Sequence, residues 1–215
     1  AEELSKLPEE IKENIASLIF DTMGIFWTMK YKNDKDLELL EDWNLKSENL
    51  PVNVWAPAGY FEEYEKRKIP IDKKFALATN ELNIEDWLGI FDLDMINPVA
   101  VLIQKIISKL SNENFDLDDI IDNIWSDEES NDEIKKSAVA LFEAAKSWRV
   151  FASKNEKATK INELIVAGET SVLDLSIYSS TAKFNVRGLI IGLISKKLFN
   201  ERVLARKKEE IESIR

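Results

Sequence analysis

The sequence predicts an α/β fold in which a parallel sheet flanked by helices carries an inserted all-helical subdomain. Three observations support this. Short apolar runs bounded by turn residues occur at Ser17 to Phe20, Pro51 to Ala56 and Ser171 to Leu175, as expected of buried strands. The first two are joined through a helical pattern, which is the mark of a right-handed βαβ unit with parallel strands. Between the second and the last, residues 83 to 155 read as consecutive amphipathic helices with short polar connections.

The expected division is an N-terminal part of the α/β core over 1–82, a helical insertion over 83–159, and a return strand with a long C-terminal helix over 160–215. The chain of 215 residues is 45% hydrophobic, enough to fill a core. Histidine and cysteine are both absent, which removes imidazole and thiolate metal sites, disulfides, cysteine nucleophiles and any histidine general base. No apolar run approaches the ~20 residues of a membrane span. The acidic start AEELSKLPEE is unlike a signal peptide, so a soluble cytoplasmic protein without a membrane partner is expected.

Charge is unevenly distributed. Lys183 to Arg215 carries nine basic and four acidic residues, a net +5, so residues 1–182 hold −16 of a total of −11. Ser111 to Glu133 has ten acidic residues and no Lys or Arg, the composition of a solvated, self-repelling surface.

Taken in order, residues 1 to 11 read as the end of a helix, and AEELSKL lacks both an N-cap and an initiator Met. Ser17 to Phe20 follows as a strand that stops at Asp21, with Gly24 closing a turn. Leu37, Leu40 and Trp43 mark a short helix. Val52, Val54 and Trp55 make the second strand, ended by Pro57, Ala58 and Gly59. Tyr60 to Ile71 reads as a surface excursion, and Lys74 to Thr79 as a short strand.

Asn83 with Asp86 forms a capping-box-like start, and Asn97 before Pro98 is a stronger one. The helix after it presents Val101, Ile103, Ile106, Ile107 and Leu110 to a core. Leu117 to Trp125 is acidic outside and apolar inside, and Ser130 with Glu133 precedes a long helix ending near Trp148. Trp87, Trp125 and Trp148 read as core residues. From Phe184 a last helix runs outward from an apolar to a charged half.

Asp21 and Asp174 both stand late in apolar strands. Two carboxylates at one sheet edge can position a metal or a water. Equally, one can cap a loop while the other pairs with a lysine. The residues leave both readings open.

The runs FDTMGIFWTMKY, GETSVLDLS and NVRGLIIGLISKKLFNERVLARK, in that order, resemble archaeal ATPases of the HerA/FtsK class, hexameric P-loop motors that move DNA. In that family a strand ending in an Asp-x-x-Gly turn comes soon after the P-loop helix. A helical insertion follows, then a Gly-led strand ending in Asp-Leu-Ser, then a long helix with an arginine near its end. The resemblance implies a partial RecA-like sheet. No G-x-x-x-x-G-K-[ST] occurs, and no apolar strand ending in Asp-Glu follows the last helix. The match is therefore to an internal segment lacking Walker A and Walker B.

On that resemblance Asp21, Gly24, Asp174 and Ser176 are expected around the nucleotide site without touching the reaction, and no residue is expected to be catalytic or to ligate metal. Thr22 and Met23 stand where other members have Pro-His. Arg202 is the expected subunit-contact arginine. ATP and Mg²⁺ are implied for the parent protein and no cofactor for this chain. DNA, the rest of the ATPase and neighbouring subunits of a homo-hexamer are the implied partners.

The expected function is a segment of an ATP-driven DNA translocase or helicase, inactive in isolation. The alternatives are a non-enzymatic interaction or scaffold module, and an acid/base or metal-dependent enzyme built on Asp21 and Asp174. Lys196, Lys197, Arg202, Arg206, Lys207 and Lys208 form a weak nucleic-acid candidate, mixed with Glu201, Glu209, Glu210 and Glu212.

Overall fold

The computed structural model describes residues 7–111, 113–178 and 185–214. These fall into two compact units, one within residues 1–75 and 162–177, the other within 76–161 and 178–215. The late strand thus belongs with the first unit and the last helix with the second.

Strand β4 (Thr170–Asp174) is buried along its whole length. Its sequence TSVLD has no charge before the final residue and suits a strand covered on both faces. It pairs in parallel with β1 (Ser17–Asp21) on one side and with β2 (Val52–Pro57) on the other, and β3 (Lys73–Phe75) pairs in parallel outside β2. Among the described residues the sheet has four strands in the order β1-β4-β2-β3. The fold is therefore α/β with an all-parallel sheet flanked by helices, consistent with a partial RecA-like arrangement. β1 and β2 are parallel, as the sequence indicates, but they are not neighbours. The place between them is filled by a strand from much later in the chain.

On one face Val52, Val54 and Val172 form a buried cluster against which Ile19, Phe26, Trp27, Met29, Leu50 and Ile71 pack. A fully buried valine contributes roughly 1.5–3 kcal/mol. The opposite side carries Trp55, whose indole Nε1 donates to Ser171 Oγ at 3.2 Å.

Short helices complete this unit: α1 (Glu9–Lys12), α2 (Leu37–Asp42), α3 (Phe61–Lys66) and α8 (Ile161–Leu164). α2 does not bury the face its spacing suggests, and Trp43 is 74% exposed. Tyr60 to Ile71, read as a surface excursion, instead includes α3, which buries Tyr64. Glu62, Glu63, Glu65 and Lys66 around that single aromatic hide the pattern in the sequence.

The second unit is helical: α4 (Ile84–Phe91), α5 (Pro98–Leu110), α6 (Leu117–Trp125), α7 (Asp132–Ser147) and α9 (Val186–Ile214). Asn83 and Asp86 form the expected capping box, and Asn97 caps α5 with Pro98 at its first position. α7 is capped by Asn131, which accepts from the Ile134 N–H, rather than by Ser130. One residue's shift places an Asx side chain at the N-cap, where it serves as well as serine.

Trp87 and Phe142 lie fully buried with ring centroids 5.1 Å apart, and Phe91, Trp148 and Phe151 extend the cluster. Trp125 is exposed. The acidic stretch is not simply self-repelling. Lys105 pairs with Asp127 and Glu129, Lys146 with Asp118, and Lys154 with Asp119. The Lys105 ammonium, helped by Ser130, holds the Asp127 carboxyl down at about 2.

α9 buries Val186, Ile190, Leu193 and Ile194, and from Arg206 onward its described residues are exposed. Within the same unit Lys196 pairs with Asp86 and Lys197 with Glu81.

Candidate functional site

Asp21 and Asp174 are the last residues of neighbouring parallel strands, in register with each other. Each is about 1% exposed. Parallel strands bring all their carboxyl ends to one edge, which is where ligands bind in open α/β sheets.

The two carboxylates do different work. Asp21 Oδ1 accepts from the backbone N–H of Met23 at 3.1 Å and of Gly24 at 2.7 Å, and Oδ2 accepts from Phe26 N–H at 2.8 Å. This aspartate therefore organises the turn that follows β1, an Asx-type role. Gly24 lies in the left-handed region at φ +70°. A Cβ there would stand 2.4 Å from Ser176 Oγ. Glycine is thus required twice, by its backbone angle and by the close approach of the turn after β4.

Asp174 Oδ1 accepts from the Ser176 N–H at 2.8 Å. Burial pushes its carboxyl above the usual range, the Ser176 donors oppose the shift, and the neighbouring Asp21 charge adds to it. Tyr64 of α3 completes the cluster. Its hydroxyl is enclosed beside Asp174 and Ser176 without completing a hydrogen bond to either, and burial followed by the Asp174 charge pushes the phenol up. Both shifts favour the form that carries the proton. A cavity of about 240 Å³ opens beside these groups, lined by Glu63, Tyr64, Arg67, Ile69, Ser176 and Ile177.

The structure therefore brings Asp21, Gly24, Asp174 and Ser176 together at one edge. Arg202 is on α9, in the other unit, exposed and paired with Glu209 at 3.0 Å. Arg206 pairs with Glu209 and Glu210 along the same helix. Lys196 and Lys197 are engaged with acids, whereas Lys207 and Lys208 are exposed.

Tyr64 was not legible as a site residue, because its neighbours make it look like part of a charged surface. The signal that could have found it is the spacing of Phe61 and Tyr64 on one side of a short helix directly after a strand.

Among the described residues no group of three or more acidic side chains stands together as metal ligands would. Asp21 already satisfies three backbone donors, and Asp174 engages its own loop. The arrangement can shape and brace a sheet edge.

Fold and edge together define an α/β protein with a parallel sheet and a buried carboxylate pair at its carboxyl end. No family model, curated protein or solved structure matches this chain. Among the described residues no helix is long and apolar enough to cross a membrane.

Proposed function

We propose that this chain is part of a HerA/FtsK-like, ATP-driven DNA translocase and that alone it does not hydrolyse ATP. One observation carries the reading. The Asp21-x-x-Gly24 turn and the Asp174-Leu-Ser176 strand end, far apart in sequence, meet in register at the carboxyl edge of a parallel sheet.

In this reading Asp21 sets the turn, Gly24 lets it close on Ser176, and Asp174 braces the end of β4. The nucleotide phosphates and Mg²⁺ are held by a phosphate-binding loop outside these residues, since no such motif occurs within them. Arg202 faces a neighbouring subunit of a homo-hexamer, and DNA is the substrate of the assembly.

The test is the reading frame on both sides of these residues. A GKS or GKT motif upstream and an apolar strand ending in Asp-Glu downstream are expected, together with DNA-stimulated ATPase activity of the full product. A frame with neither motif overturns the reading. The distal half of α9, which exposes Phe199, Leu204, Ile211 and Ile214, would then favour a non-enzymatic interaction module.

A further inference from the structure

The helical unit contains a second cavity, of about 250 Å³, around the segment that follows α7. Its lining includes Thr79, Asn80, Asn114, Lys154, Lys157 and Lys160. Two acids also line it, but both are committed to backbone amides. Asp116 accepts from the N–H of Asp118, Asp119 and Lys154, and Glu156 accepts from Ser153 N–H.

Two of the donors, the Thr79 hydroxyl and the Lys160 ammonium, have no partner among the described residues. Thr79 is 2% exposed, and its Oγ1 makes no hydrogen bond. Lys160 is exposed, and among the described residues no acid pairs with it. Asn80 donates to Asn114 Oδ1 at 3.3 Å, a contact that does not use the Asn114 NH₂. Lys154 is held in place by Asp119 at 3.1 Å.

The segment is also fixed. Thr159 exchanges hydrogen bonds with Ala76, as acceptor at 3.0 Å through Oγ1 and as donor at 2.8 Å through its N–H. Lysines on either side of a pinned residue lose less freedom on closing around a ligand.

A buried hydroxyl left without a partner is costly, and a ligand oxygen that accepts from it removes that cost. The Lys160 and Lys154 ammonium groups and the Asn114 amide beside it donate to an anion, while Asp116 and Glu156 keep their charge and hold it on their own backbone donors. We propose that this cavity binds a small molecule through a phosphate group, with Lys160, Lys154, the Asn114 amide and the Thr79 hydroxyl as donors. The site lies within the second unit and does not depend on the sheet edge described above. Its failure would leave the ATPase reading untouched, and the reverse also holds.

Calorimetric titration of the chain with inorganic pyrophosphate, with inorganic phosphate and ADP as competitors and a short single-stranded DNA as a separate arm, tests it. Pyrophosphate is expected to bind at low salt. Lys160→Gln should weaken it roughly tenfold, the scale of one charge-assisted hydrogen bond. Thr79→Val should weaken it several-fold, roughly as one neutral hydrogen bond does, while leaving the melting temperature unchanged or higher, because the unliganded hydroxyl satisfies nothing. Lys136→Gln, exposed on α7 away from the cavity lining, should change nothing. Absence of pyrophosphate binding, equal losses in all three variants, or binding of the DNA but not of pyrophosphate overturns the proposal.

Discussion

Gly24 and Ser176 approach so closely that a methyl group on Gly24 would lie 2.4 Å from Ser176 Oγ and 2.7 Å from its Cβ. Substitution Gly24→Ala therefore meets two costs. A left-handed backbone costs a residue with a Cβ roughly 1–2 kcal/mol, and overpacking adds roughly 1–3 kcal/mol. A loss of about 2–5 kcal/mol in urea unfolding is expected. Combining Gly24→Ala with Ser176→Gly should recover the steric part and leave the backbone part. If Gly24→Ala unfolds at the wild-type midpoint, the contact between the two turns is not a feature of the folded protein.

The buried carboxylate at Asp174 gives the fold a pH dependence of known sign. Its folded-state pKa is raised above the ordinary 3.8, chiefly by burial. A raised acid binds its proton more tightly when folded. Its contribution to stability is full below pH 3.8 and is lost as pH rises through the folded value. Asp174→Asn keeps an oxygen for the Ser176 N–H and removes the titration. The variant's melting temperature should fall less than that of the wild type as pH is raised from 4 toward neutrality.

Asp127, held down at about 2 by Lys105, works in the opposite sense. It stabilises above pH 3.8, and that contribution is lost as pH falls toward 2. Lys105→Met should flatten this acid limb while leaving the neutral one. Parallel pH profiles for Asp174→Asn and the wild type would remove Asp174 as the source.

The contrast between these two carboxylates and the rest of the site shows what the residues alone could reveal. Strand ends at Asp21 and Asp174 were legible because an apolar run that stops at an acid is a local pattern. Their adjacency was not, because β4 enters between β1 and β2 only after the whole helical segment has been made. Tyr64 was lost among charged neighbours, since one buried face on a six-residue helix gives almost no periodicity. The helices of the second unit were legible for the opposite reason. Asn83, Asn97 and the apolar spacing of α5 and α6 repeat over several turns and need no distant partner to be read. The ion pairs of Lys105, Lys146 and Lys154 escaped because pairing between separate elements leaves no trace in a run of acids.

The basic residues of α9 lead to the last expectation, that this chain binds DNA weakly or not at all. Lys196 and Lys197 are paired with Asp86 and Glu81, and Arg202 and Arg206 with acids one or two turns along the same helix. Exposed pairs are worth only ~0–1 kcal/mol, so they could open toward a phosphate backbone. The acids would remain beside them, however, and oppose the approach. Lys207 and Lys208 are the members of the candidate set that carry no such pair among the described residues. Two phosphate contacts release about two counterions, which gives a shallow salt dependence with a slope of roughly −2. Fluorescence anisotropy with labelled duplex and single-stranded DNA at physiological salt should therefore show no submicromolar binding, and Lys207→Gln with Lys208→Gln should abolish the residual affinity at low salt. Submicromolar binding with a steep salt slope, lost only when Lys196, Lys197, Arg202 and Arg206 are also neutralised, would mean that these ion pairs open and that α9 is a DNA-contacting element.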